Sequence, residues 1–319
     1  MKSKSKSISI SIVAMFLLSF LFFSFVNTNS VFAKVYSFGI TSDGGQYTSN
    51  LTFLKKSFLE LNTKDLILVG DSAPRDNEST RATLEEIWGQ FMNDFNFTAA
   101  VVGNHNKGYQ REMDFFKMPG DYYSVRPIND LLVIGLNSDE RNNQRVTEEI
   151  NFLQNQLANA SEKMIIIIFH NPPANVAPNH NWTEKKEFVT KVVALLKRYK
   201  GKISAVIAGH VHIATFVDID GIPLFISPSP VQPRDARYFD SYDNQLKMQV
   251  TNKWVYKNQR NRYWLKLDVN TDDNSMKFDY INIDNRNNAD CTILISSDAN
   301  SRIAGKSYSL QNNCSKSSL

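Results

Sequence analysis

A layered α/β domain is the fold class this sequence predicts, and three observations predict it. From Lys34 onward, short β-branched runs alternate with stretches whose apolar residues recur at helical spacing. Several apolar runs stop at a glycine followed by a polar residue, as at Gly70-Asp71, Gly103-Asn104 and Gly209-His210. Four of the five histidines, His105, His170, His210 and His212, stand just after such runs, where open α/β sheets present side chains to a ligand. A hydrophobic content of 42% is ample for the core of such a domain.

Residues 1–33 stand apart. Lys2, Lys4 and Lys6 precede an apolar run from Ile8 to Val26 and a Val31-Phe32-Ala33 ending, the pattern of a signal peptide cleaved after Ala33. The mature protein is then expected to be secreted or periplasmic, with no stable membrane anchor. An uncleaved anchor is the alternative, because about 19 mostly apolar residues approach the length of a bilayer span. Losing the leader removes three lysines and no acids, which lowers the formal net charge from +4 to +1. The basic footprint of a nucleic-acid binder is then missing, and no such partner is expected.

In the following region, residues 35–41 read as a strand ending at Ser42-Asp43-Gly44-Gly45, and 51–61 as a helix with apolar Leu51, Phe53, Leu54, Phe58, Leu59 and Leu61 at helical spacing. Residues 66–69 form a buried strand running into Gly70-Asp71, 80–95 a helix, and 98–102 a strand delivering Gly103-Asn104-His105. A hairpin is expected over 122–136, turning at 127–130, then a helix over 147–157 capped by Thr147. Five apolar residues and a phenylalanine make 164–169 a strand buried on both faces, ending in His170. A helix over 183–199 stops at Lys200-Gly201, and a strand over 203–208 ends in Gly209-His210.

The pattern then turns to β-structure: 215–219, a turn at Asp220-Gly221, 224–227, and a hairpin of 263–269 with 276–283. Residues 229–259, rich in Pro, Arg, Tyr, Asp and Asn, read as a loop over the site. The expected organisation is one catalytic domain over 34–284 and a tail over 285–319. Cys291 and Cys314, the two cysteines of the chain, could pair in an oxidising compartment and tie that tail down.

The residues at strand ends are Asp43, Asp71, Asn104, His105, His170, His210 and His212. Carboxylates, an amide oxygen and imidazoles without thiolates form the donor set of divalent or trivalent first-row metals. In Gly209-His210-Val211-His212, strand alternation sends both imidazoles to one side, where they could reach two adjacent ions.

The order Asp, Gly-Asp, Gly-Asn-His, lone His and Gly-His-x-His, over roughly residues 35–229, resembles the calcineurin-like metallophosphoesterase superfamily. The resemblance implies a four-layer αββα sandwich and a metal-dependent hydrolase of small phosphate-ester substrates. By it, Asp71 would bridge two ions, Asn104, His170 and His210 would complete the second site, and Asp43 and His212 would belong to the first. A water or hydroxide held by one or two Fe, Mn or Zn ions would attack phosphorus, with His105 assisting the leaving group. A phosphomonoesterase is expected. The alternatives are a nucleotidase, a phosphodiesterase, or a degenerate member that has lost the first metal site and acts as a binding protein.

Departures from the pattern fall mainly on that first site. Most members carry a histidine two residues after the first Asp, where this chain has Gly45. The purple acid phosphatase branch also has glycine there, but supplies a tyrosine three residues after the Gly-Asp aspartate, where this chain has Pro74. Asp43, Asp71 and His212 then remain, with Gln46, Tyr47 or Asp76 as candidate replacements. Asn106 stands where the family commonly has an acid that orients the catalytic imidazole. If the missing ligand limits binding, Gly45→His is expected to raise affinity for the first ion.

Overall fold

The computed structural model describes residues 34–45, 51–74, 81–105, 109–173, 186–233, 250–255, 261–297, 306–311 and 314. Residues 1–33, read above as a signal peptide, the candidate replacements Gln46, Tyr47 and Asp76, and Asn106 lie outside the described residues.

Alternating strand and helix periods produce β1 (Val35–Thr41), α1 (Thr52–Glu60), β2 (Asp65–Val69), α2 (Arg81–Trp88), β3 (Asn96–Val101) and α3 (Tyr109–Phe116). There follow β4 (Tyr123–Ile128), β5 (Leu131–Gly135), α4 (Asn143–Asn159), β6 (Met164–Ile168), α5 (Lys186–Arg198) and β7 (Ala205–Ala208). The remainder is β8 (Thr215–Ile219), β9 (Ile222–Ile226), β10 (Val250–Val255), β11 (Tyr263–Asn270), β12 (Ser275–Asn282), β13 (Asn288–Ser297) and β14 (Lys306–Gln311).

Among the described residues, two sheets of seven strands result, ordered β14-β13-β12-β11-β1-β2-β3 and β10-β8-β9-β7-β6-β5-β4. β1, β2 and β3 run parallel in the first, and β5, β6, β7 and β9 run parallel in the second. Strand β6 shows how the layers form. Met164, Ile166 and Ile168 enter an apolar layer shared with Phe38, Ile40 and Leu265 of the other sheet, while Ile165 and Ile167 point the opposite way beneath α4 and α5. On the first sheet's outer face, Phe58 of α1, Trp88 of α2 and Phe116 of α3 cover Leu66 and Leu68. Helices therefore flank two stacked sheets, the αββα arrangement expected from the resemblance.

Differences from the sequence reading lie where tertiary pairing outweighs local pattern. Helix α4 begins one turn before Thr147, because the Asn142 side chain accepts hydrogen bonds from the amides of Gln144 and Arg145 and caps it there. Helix α3 was not foreseen. Strand β10, inside the stretch expected as a loop, pairs with β8. Residues beyond Asn285, expected as a tail, contribute β13 and β14 to the first sheet, and a disulfide ties Cys291 of β13 to Cys314, three residues after β14. The Asp220-Gly221 turn is as expected, with both residues at positive φ in a two-residue hairpin.

Candidate metal centre

All the strand ends singled out in the sequence reach the same end of the sandwich. Strands β1, β2 and β3 deliver Asp43, Asp71 and the Asn104-His105 pair, while β6 and β7 deliver His170, His210 and His212. The side chains thus come from both sheets.

Tight turns immediately after the strands make this possible. The Asp43 amide donates to Gly70 O at 3.0 Å, Gly45 N to Asp71 O at 3.1 Å and Gly209 N to His170 O at 2.8 Å, stacking loop upon loop. Asp43, Asp71, His210 and His212 have φ of 55°, 49°, 69° and 63°. Such left-handed backbone costs a residue with a side chain on the order of 1 kcal/mol or more, and persists where the surroundings over-determine it. Gly103 is required for a different reason: a Cβ there would lie 2.0 Å from Asp71 Oδ1.

Hydrogen bonding fixes which nitrogen His170 and His212 present. His170 is fully buried and its Nδ1–H donates to Val69 O at 2.8 Å. Its Nε2 then faces oxygens only: Asn104 Oδ1 at 3.1 Å, Asp71 Oδ2 at 3.2 Å and Asp43 Oδ1 at 3.9 Å. His212 repeats the arrangement, donating from Nδ1 to Gln232 O at 3.0 Å and setting Nε2 3.1 Å from Asp43 Oδ1. A neutral imidazole lone pair amid acceptor oxygens is repulsive unless a cation or a proton lies between them.

The spacing suits a cation. Two ligand atoms about 2.1 Å from one ion are about 3.0 Å apart at a right angle and about 3.4 Å apart at a tetrahedral angle. Among the described residues, the buried Asp43 Oδ1 and Asp71 Oδ2 accept no well-aligned hydrogen bond. Ligand atoms of Asp71, His170 and His210 all lie within 4.8 Å of one another, so these three form a candidate metal centre. Asn104 and His210 are half-buried, which leaves the centre approachable.

The same field acts on protons. Burial alone would lower the His170 imidazole, but the Asp71 and Asp43 carboxylates raise it to about 9. Burial alone would raise both carboxyls, yet His212 and His170 hold Asp43 well below the usual range and His170 lowers Asp71. The remaining oxygens tie down backbone: Asp43 Oδ2 accepts from His210 N and Asp71 Oδ1 from His105 N, each at 3.0 Å. The His105 ring sets Nδ1 3.5 Å from Asp71 Oδ2.

A histidine at Gly45 meets a steric obstacle that the sequence did not reveal. A Cβ at Gly45 would stand 2.4 to 2.5 Å from the Ala73 backbone N, Cα and C, so no histidine fits there without moving the second loop. Sequence reasoning also missed three buttresses of the Asp43 and His212 pair. Ser42 Oγ donates to Ser227 O at 2.9 Å, Ser229 Oγ donates to Asp43 O at 3.0 Å, and Gln232 supplies the carbonyl that orients His212. Ser227 and Ser229 do follow an apolar strand, as the other motif residues do, and that position was the available signal.

A family model described as calcineurin-like phosphoesterase matches residues 36–214. Among solved structures, the chain is similar to GAP50, the anchor in the inner membrane complex of Plasmodium, with a TM-score of 0.62 and 12% identity over 81% of this chain and 87% of that one. It is also similar to a purple acid phosphatase from yellow lupin (Lupinus luteus) seeds, with a TM-score of 0.60 and 13% identity over 84% of this chain and 55% of the lupin chain. At such identities the likeness is one of fold. A comparison with curated protein sequences finds no match.

Proposed function

Because the chain belongs to the calcineurin-like phosphoesterase family, we propose that it hydrolyses phosphomonoesters with metal ions held at this centre. Asp71, Asn104, His170 and His210 would hold one ion, and Asp43, Asp71 and His212 would hold a second, more weakly bound one. Bound Fe, Mn or Zn ions supply Lewis acidity towards a phosphoryl oxygen and acidify water for use as the nucleophile. The carbonyls of Val69 and Gln232 keep the ligand nitrogens of His170 and His212 aimed inward. His105 hands a proton to the leaving oxygen from Nε2, while the Asp71 carboxylate beside Nδ1 supports the charged imidazole. The basic and apolar leader supports action outside the cytoplasm, and Gly45, shared with the purple acid phosphatase pattern, supports monoesters.

The observation that carries this reading is the convergence of His170 Nε2 with three side-chain oxygens around a point that requires positive charge, a metal ion or the proton it would displace. The test is to count bound metal and to follow a chromogenic phosphomonoester and phosphodiester with Mn, Zn and Fe, for the wild type and for His210→Ala. The wild type is expected to bind metal and turn over the monoester, and His210→Ala to lose metal-dependent turnover at least a hundredfold, on the order expected for losing a ligand. Undiminished turnover in His210→Ala would refute the assignment.

A second reading, a family member that binds ligands without turnover, is favoured by the crowding at Gly45, which denies the first ion the usual histidine. Ion uptake by the wild type with no hydrolysis of either ester under any of the three metals would select it.

A further inference from the structure

The ligands are divided between two sheets, so their spacing depends on how one sheet is set against the other. We infer that Tyr280 and Tyr123 are positioning residues for the ion ligands, their hydroxyls crossing between the sheets in opposite directions; the inference rests on the two-ion reading above.

Tyr280 stands on β12 of the first sheet, fully buried in the layer between the sheets. Its hydroxyl donates to Thr215 O, with Ile226 O 3.2 Å away, both on the second sheet. Thr215 opens β8 three residues after His212. Ile226 closes β9 immediately before Ser227, whose carbonyl accepts from Ser42, and three residues before Ser229, whose hydroxyl bonds Asp43 O. Tyr280 therefore clamps the base of the segments that hold Asp43 and His212.

Tyr123 runs the other way. From β4 of the second sheet its hydroxyl donates to Ala100 O at 2.6 Å and accepts from Ala100 N at 2.8 Å. Ala100 lies in β3, the edge strand of the first sheet, four residues before Asn104. Without this contact that edge would leave a donor and an acceptor unpaired in a buried place. Tyr123 thereby anchors the strand that delivers Asn104 to the other ion. Burial pushes the Tyr123 hydroxyl up to about 12 and the Tyr280 hydroxyl well above its ordinary value, so both remain O–H donors at neutral pH.

Tyr to Phe keeps the ring and removes only the bridge, so the test uses full-length wild type, Tyr280→Phe and Tyr123→Phe. Each is titrated with manganese by calorimetry, with elemental counts of bound metal and thermal melts alongside. Tyr280→Phe is expected to weaken the looser ion about tenfold and leave the tighter one within about twofold, and Tyr123→Phe to do the reverse, in line with other supports of metal ligands. A merely structural role would lower the melts while moving both steps together or neither, and either result overturns the inference with the two-ion reading intact. A single wild-type step would belong to the Asp71 set, so Tyr123→Phe should move it; movement by Tyr280→Phe alone would then be a refutation. No ion uptake by the wild type would remove the two-ion reading and this inference together. Should Tyr280→Phe fail to fold, Tyr123→Phe alone decides by the same criterion.

Discussion

Gly45 has its amide bonded to Asp71 O and leaves no room for a Cβ against the Ala73 backbone, which bears on the first ion site proposed above. A side chain there must push the Asp43 and Asp71 loops apart. Gly45→His is therefore expected to lower stability by about 1–3 kcal/mol, the usual cost of forcing atoms into a filled space. It should also loosen metal binding, because Asp71 moves with the loop. Urea unfolding together with a metal titration checks this; wild-type stability combined with tighter binding would show that the loops yield freely. Side-chain chemistry at the other strand ends was legible from the residues themselves, since an imidazole or carboxylate after a buried strand is recognisable without a fold. The steric demand at Gly45 was not, because its obstacle is the backbone of Ala73, in a different loop.

Among the elements, α4 shows how a helix can carry a strained group toward the site. Glu149 lies buried on it, and its Oε1 accepts from Asn137 N at 2.6 Å where the chain leaves β5. Ser138, next along that loop, accepts from the amide of Asn171, the residue after His170. Burial pushes the Glu149 carboxyl well above its usual value, reinforced by Asp121 and Glu140 and opposed by the Asn137 amide and Arg145. A carboxyl raised on folding binds its proton more tightly in the native state, so its contribution is full below the unfolded value near 4.5 and is lost as pH rises toward the folded value. Glu149→Gln keeps an acceptor for Asn137 and removes the titration. The variant is expected to be more stable than wild type at pH 8, by on the order of 1 kcal/mol, and to lose that advantage at pH 4. Denaturation midpoints at the two pH values measure it; an advantage equal at both would exclude Glu149 ionisation as the cause. The start of α4 was misplaced in the sequence reading because Thr147 with its neighbouring Glu148 imitates a cap, whereas the Asn142 side chain makes the bonds. Helix α3 escaped notice because its polar Gln110-Arg111-Glu112 start hides an aromatic end, Phe115 and Phe116, that pays off only against Trp88 and Phe97.

For the whole molecule, the Cys291–Cys314 disulfide closes 23 residues of chain at the far edge of the first sheet. Reducing it is expected to lower stability by about 3 kcal/mol through the freed unfolded chain, while metal affinity stays within about twofold. Thermal melts and metal titrations with and without reductant test this, and a large loss of affinity would show that the edge strands transmit strain to the centre. The layered α/β class, the sequence positions of all seven candidate residues and their chemical character were determined by the amino-acid sequence alone. Alternation, helical spacing and donor type are local properties that survive without coordinates. Only the tertiary structure decided that β13 and β14 join the first sheet, that Ser42, Ser229 and Gln232 brace the centre, and that Gly45 excludes a histidine. Each of these depends on contacts between segments remote in the chain, where backbone hydrogen bonding and excluded volume act together and neighbouring residues carry no record of the outcome.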